Sequence, residues 1–175
     1  VEMAKATARS IYREAAWASE HGKEDLEKSL AKHASTSAHA GQLNALAQVA
    51  LKITSPGVPD IYQGQELWDY SLVDPDNRRP VDFNARRAAL AHIKQSAVAQ
   101  NLTLHDPNLK LLLTHRLLNL RHRLAHLWSQ GEYLPLEVSG PLADNLIAFA
   151  WRGAESQRIE LIAAIPRFVQ KLIDA

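Results

Sequence analysis

The residues best suited to chemistry lie between Leu51 and Phe83, in the run LKITSPGVPDIYQGQELWDYSLVDPDNRRPVDF. Tyr62, Gln63, Gln65 and Glu66 crowd around Gly64, so several hydrogen-bonding side chains sit where glycine lets the backbone turn sharply. Trp68, Asp69, Tyr70, Asp74, Asp76, Asn77, Arg78 and Arg79 follow, in a stretch with no regular periodicity. Structureless stretches of this length in compact domains are usually functional. The mixture suits sugars. Aromatic faces cover the apolar C–H faces of a pyranose, while carboxylates, amides and guanidinium forks hold its hydroxyls.

Other readings of the same residues carry weight. Glu66 and Asp69 could form a catalytic carboxylate pair, but loop carboxylates held by Arg78 or Arg79 are the commoner arrangement. Arg78 and Arg79 read equally well as a sugar clamp or as a pin for the loop. Trp68 and Tyr70 read as loop anchors more than as stacking platforms. His115, His122 and His126 recur at spacings of seven and four on one side of a helical stretch. Three imidazoles so placed could meet a zinc ion, but no cysteine or clear carboxylate completes the set, and no metal is expected.

The elements that must position these groups are mainly α with a few β strands. Val1 to Glu20, Lys23 to Ala34 and a third stretch from Ser35-Thr36-Ser37 to about Ile53 read as helices. His21-Gly22 ends the first and the hydroxyl residues cap the third. The Lys23 to Lys32 stretch should face solvent. Leu43, Leu46, Ala47, Ala50 and Leu51 fall on one face of the third helix. Thr54-Ser55-Pro56-Gly57 breaks the pattern, and Val58 to Tyr62 has the length and apolar character of a short strand.

Helices are expected again at about Ala85 to Gln100 and Asn108 to Trp128, the latter with a stripe at Leu109, Leu113, Leu117, Leu120, Leu124 and Leu127. Strands follow at Tyr133 to Val138, Asn145 to Trp151 and Ile159 to Ile165, separated by Gly- and Pro-containing turns. The division is therefore a helical segment over 1–130 and part of a β domain over 131–175.

Composition narrows the class. The chain has 175 residues, 46% hydrophobic and 22% charged, with no cysteine and a net charge of +1. That excludes disulfides and thiolate metal sites, and it fits a reducing, cytoplasmic setting. It offers no electrostatic attraction to nucleic acid or to an anionic membrane. No run is apolar enough for a membrane span, and no signal peptide is expected. The chain opens on Val1 and reads as a piece of something longer. A lone buried strand cannot satisfy its own backbone groups, so Val58 to Tyr62 either pairs with sequence outside the chain or takes another conformation.

The segment GVPDIYQGQE resembles the eighth-strand motif of the α-amylase superfamily, glycoside hydrolase family 13. The longer SPGVPDIYQGQELWDYSLVDPDNRRPVDF, and later LLTHRLLNLRHRLAHLWSQGEYLPLEVSG, resemble the malto-oligosyltrehalose synthase family in particular. The resemblance runs from about Gln42 to Val138 and continues less strongly to the end.

It implies a fragment of a (β/α)8 barrel, comprising the last strand and its flanking helices, joined to the start of an antiparallel β C-terminal domain. It implies action on malto-oligosaccharide, moving the reducing-end α-1,4 bond to an α,α-1,1 trehalose linkage. The superfamily mechanism is retaining and works through carboxyl groups roughly 5–5.5 Å apart, without a cofactor. Those carboxylates lie on earlier barrel strands, so no catalytic residue is expected in this chain and the chain alone should be inactive. Barrel enzymes build their sites at the C-terminal ends of the strands. Tyr62, Gln63, Gln65, Glu66, Asn77, Arg78 and Arg79 are thus the expected substrate-binding residues. Two other readings stay open: a hydrolase or transglycosylase of the same superfamily, or a non-catalytic helical module that could self-associate through its apolar faces.

Overall fold

Proline is absent between Lys23 and Thr54, and this whole segment forms one 32-residue helix, α1 (Lys23–Thr54). The structure, a computed structural model, describes residue 13 and residues 23–70, 78–95 and 103–173. The helix expected over Val1 to Glu20 lies outside the described residues, apart from residue 13. The break expected at Ser35-Thr36-Ser37 does not occur. Serine and threonine cost only tenths of a kcal/mol inside a helix, and cap one only where the chain before them leaves helical geometry. Here the preceding residues are already helical.

The chain divides into two compact units, Val1–Gln42 and Leu43–Ala175, and α1 runs through the boundary. In the first unit, Glu27, Lys28 and Lys32 are exposed, as a charged helix face should be. In the second unit, α1 is followed by α2 (Phe83–Ile93), α3 (Leu109–Arg123) and α4 (Ala125–Gln130). Strands β1 (Glu132–Leu136), β2 (Leu146–Arg152) and β3 (Ile159–Pro166) and a last turn of helix, α5 (Gln170–Ile173), complete it. Asp82 caps α2, its Oδ1 accepting from the Ala85 N–H at 2.9 Å. No helix among the described residues is long and apolar enough to cross a membrane.

The strands form one antiparallel sheet in the order β1-β2-β3. Tyr133 pairs with Trp151 and Pro135 with Phe149, so one face carries Tyr133, Phe149 and Trp151. Trp151 then pairs with Leu161 and Phe149 with Ala163 across β3. This face closes on the second half of α1 and on α4. Phe149, Trp151, Ala163, Ile165, Leu127 and Ala47 form the core, with Ala50, Leu51, Leu124 and Trp128 packed against it. The aromatic side chains meet at angles, Trp128 to Trp151 at 5.5 Å and Tyr133 to Trp151 at 5.6 Å between ring centres. Such tilted pairs add roughly 0.5–1.5 kcal/mol beyond area burial. Gly131 sits where α4 turns into β1; a Cβ there would lie 2.5 Å from the Leu127 carbonyl oxygen.

The C-terminus of α1 is buried against this core, and its carbonyl groups need donors. Arg121 makes three hydrogen bonds at the helix end and just beyond it: Nη1 donates to the Ile53 carbonyl at 2.6 Å and to that of Ser55 at 3.3 Å, and Nη2 to that of Gly57. The Trp151 indole donates to the Thr54 carbonyl at 2.9 Å, and the Trp128 indole to that of Ser55 at 3.1 Å. The Arg121 guanidinium also lies 4.5 Å over the Trp128 ring. These residues fix where the Pro56-Gly57 turn leaves the helix.

A second, smaller cluster joins α2 to α3. Ile93, Leu111 and Leu112 are buried, with Leu67, Ala89 and Leu90 against them. The six-leucine stripe is therefore only part of the story. Leu127 is fully buried and Leu124 packs on the main core, but near the start of α3 the deepest positions are Leu111 and Leu112. The first turn of α3 faces α2 and Leu67, whereas Arg121 in its last turn reaches the end of α1.

The expected strand at Val58 to Tyr62 is corrected: these residues are irregular, and Val58 is 96% exposed. A strand exists only by virtue of ladder partners, and no described segment pairs with this one. Mixed helix with a small three-stranded antiparallel sheet is thus the architecture.

Candidate functional site

After Ile61 the chain makes a tight turn, with the Gln65 N–H donating to the Tyr62 carbonyl at 3.1 Å. Gly64 has φ +90°, in the left-handed region, and a Cβ there would sit 3.2 Å from a Val81 methyl. Arg86 on α2 holds this turn from outside. Its Nη2 donates to the Gly64 carbonyl at 2.9 Å, its Nε to Glu66 Oε2 at 3.1 Å, and its Nη1 to the Asp82 carbonyl at 3.1 Å. The ion pair expected for Glu66 from Arg78 or Arg79 is made by Arg86 instead. A residue twenty positions away reaches Glu66 because α2 folds back beside the turn, a contact that local spacing does not reveal. Asp69 accepts from Gln65 Nε2 at 2.8 Å.

Trp68 anchors the loop. Its indole donates to the Asp106 carbonyl at 3.0 Å, in the segment that leads into α3. Asp106 Oδ1 in turn accepts from the Asn108 N–H at 2.8 Å and shapes that lead-in. Lys110 follows. Its ammonium donates to the Leu67 carbonyl at 3.3 Å and lies 6.0 Å from the centre of the Trp68 ring. Lys110 is 8% exposed. Burial, then the nearby charge of Lys52, push its pKa below the usual lysine range, against the pull of Asp69 and Glu66.

Between α1, the Asp60–Gln65 segment and α3 lies a cleft of about 380 Å³, lined by Gln48, Lys52, Asp60, Tyr62, Gln65, Lys110 and Thr114 on a floor that includes Val49 and Ile53. The size is within the range of small-molecule sites. The lining mixes donors and acceptors of both signs over an apolar floor, the combination a sugar ring requires.

Of the expected site residues, the cleft takes in Tyr62 and Gln65. Glu66 is turned to Arg86. Gln63, Arg78 and Arg79 are exposed and do not line it, and Asn77 lies outside the described residues. Lys52, Lys110, Gln48 and Thr114 were not foreseen. The one signal for Lys110 is a lone charge inside LKLLL, where burial is the rule. Of the histidines, His126 Nε2 meets Glu160 Oε2 at 2.8 Å and His115 is beside Asn119, so the two serve different neighbours.

No family model matches the chain. Two curated proteins of Mycobacterium tuberculosis strains, each named maltooligosyl trehalose synthase, are 41% identical over 129 residues. That match takes in 74% of this chain but 14% of theirs, so the chain spans about one seventh of the length of the curated relatives it matches. A crystal structure of a maltooligosyl trehalose synthase superposes with a TM-score of 0.60 at 37% identity, covering 73% of this chain and 17% of that one. A mutant of the Arthrobacter ramosus maltooligosyltrehalose synthase gives 0.68 at 36% identity, covering 86% of this chain and 18% of its own. In sequence and in fold alike, this chain is a relative of one segment of the maltooligosyl trehalose synthases.

Proposed function

We propose that this chain is the C-terminal part of a malto-oligosyltrehalose synthase, an enzyme that turns the reducing-end α-1,4 bond of a malto-oligosaccharide into an α,α-1,1 bond. The observation that carries the reading is the 41% identity over 129 residues to proteins bearing that name. The sugar-suited mixture around Tyr62 and Gln65 supports it independently. In this reading Val58 to Tyr62 is the last strand of a (β/α)8 barrel, with neighbours supplied by the rest of the polypeptide. Residues 131–175 begin a C-terminal β domain, and the enzyme works in the cytoplasm.

The chemistry is that of a retaining glycosidase family: one carboxylate attacks the anomeric carbon while a carboxylic acid protonates the leaving oxygen. Both belong to earlier strands. This chain's part is to bind and orient glucose units through Tyr62, Gln63, Gln65, Glu66, Asn77, Arg78 and Arg79, and no cofactor enters. Held at a fixed distance from the nucleophile, the reducing-end unit can be released and recaptured by its own anomeric oxygen, a gain that comes from positioning.

The test is to express the chain within a polypeptide of full family length and incubate it with maltopentaose. Loss of reducing ends with formation of a trehalose-terminated product is expected. The 175-residue chain alone should give none. Hydrolysis without that product, or turnover by the isolated chain, overturns the reading.

A further inference from the structure

Among the described residues, Lys110 is the one buried charged side chain. An ammonium carries three donors. Among the described residues the Lys110 ammonium makes one hydrogen bond, a long one of 3.3 Å to the Leu67 carbonyl, and no ion pair. The Trp68 ring lies at the outer limit of a cation–π contact. Lys52, a like charge, lines the same cleft. Taking a lone charge out of water is costly unless acceptors replace the water. The cleft is lined by Lys110 together with Tyr62 and Gln65. Its lining answers the two lysines with Asp60, and Asp69 and Glu66 also act on Lys110. Such a balance suits a neutral polyhydroxyl ligand better than an anion.

We propose that the Lys110 ammonium recognises hydroxyl oxygens of a glucan lying in the cleft beside Tyr62 and Gln65. The proposal rests on the glucan reading above and adds a specificity-determining residue to it. Lys110 reaches the ligand because the first turn of α3 is held by Asp106 and Trp68.

In the full-length enzyme carrying this chain, Lys110→Met should raise KM for maltopentaose by roughly 10- to 100-fold, the loss expected for a charge-assisted hydrogen bond. The fall in kcat should be much smaller, and the thermal midpoint should hold. Lys110→Arg, which keeps the charge, should recover part of the affinity. Maltopentaose should also slow acetylation of Lys110, read by mass spectrometry, relative to the exposed Lys171. An unchanged KM in Lys110→Met, while Gln65→Ala raises it, overturns the role of Lys110 and leaves the glucan reading intact. Protection of Lys110 by inorganic phosphate but not by maltopentaose assigns the cleft to an anion and also overturns the proposal. If Lys110→Met loses its fold, the arginine variant and the protection experiment decide. An unaltered enzyme that ignores maltopentaose sinks the underlying reading instead.

Discussion

Two regions of the larger unit both use arginine and tryptophan to hold backbone carbonyls, but only one of them borders the cleft. Around Thr54, the terminal nitrogens of an arginine and the indoles of two tryptophans donate to backbone carbonyls, on the edge of the Phe149–Trp151 core. Around Tyr62, Arg86 and Trp68 also reach backbone carbonyls, but Gln48, Lys52, Tyr62 and Gln65 line an open cleft, with a small apolar cluster behind Leu67. The first arrangement completes a helix end and leaves nothing to offer a ligand. The second leaves donors and acceptors facing a space. Residue type alone does not separate support from recognition; what the polar atom points at does.

Core substitutions should divide the two regions most sharply. Trp151→Ala removes a 3%-exposed ring and its bond to Thr54, and should lower stability by about 3–5 kcal/mol. Tyr62→Ala, on a 47%-exposed ring, should stay within about 0.5 kcal/mol. Urea unfolding of both variants measures the gap; equal losses would erase the distinction. Next comes Arg121→Met, which keeps the stem but leaves the carbonyls of Ile53 and Gly57 without this donor. A cost of about 2–3 kcal/mol is expected from the same measurement.

Arg86→Met tests the loop. The Glu66 pair is partly exposed, so stability should fall by no more than about 1 kcal/mol. Limited proteolysis should nevertheless quicken between Gly64 and Asp69, since Arg86 also holds the Gly64 carbonyl. A smaller effect still belongs to Glu160. Hydrogen bonds from Ser156 at 2.6 Å and from His126 at 2.8 Å hold its carboxyl below the usual range. A lowered folded pKa means that the stabilisation is present above the unfolded value, about 4.3 for glutamate, and is lost as pH falls through the folded one. The stability gap between the parent and Glu160→Gln should therefore shrink on acidification below about pH 4. Lys110→Met should also change stability little, within about 1 kcal/mol at neutral pH, because relief of desolvation offsets the lost Leu67 bond. A large loss there would make Lys110 a support like Arg121.

Periodicity and turn residues were enough to place most of the elements. Alternation and Gly-Pro punctuation located three strands within a residue or two of Glu132–Leu136, Leu146–Arg152 and Ile159–Pro166. Helical spacing found the α2 and α3 regions. These are local signals, set by side-chain direction and backbone propensity. The loop around Gly64 was legible too, since few residues other than glycine accept its φ of +90°. The distinctive run ELWDYSLVDPDNRRPVD carried the family resemblance.

Partnership was decided in three dimensions. That Glu66 meets Arg86, that Arg121 serves the end of a helix 66 to 68 residues earlier, and that Lys110 lies in the same cleft as Tyr62 all depend on how distant elements pack. The same holds for Val58 to Tyr62, whose composition favours a strand but whose backbone takes that form only beside neighbours able to share its hydrogen bonds. Hydrogen bonds and charges act over a few ångströms, and sequence distance does not measure ångströms once the chain has folded.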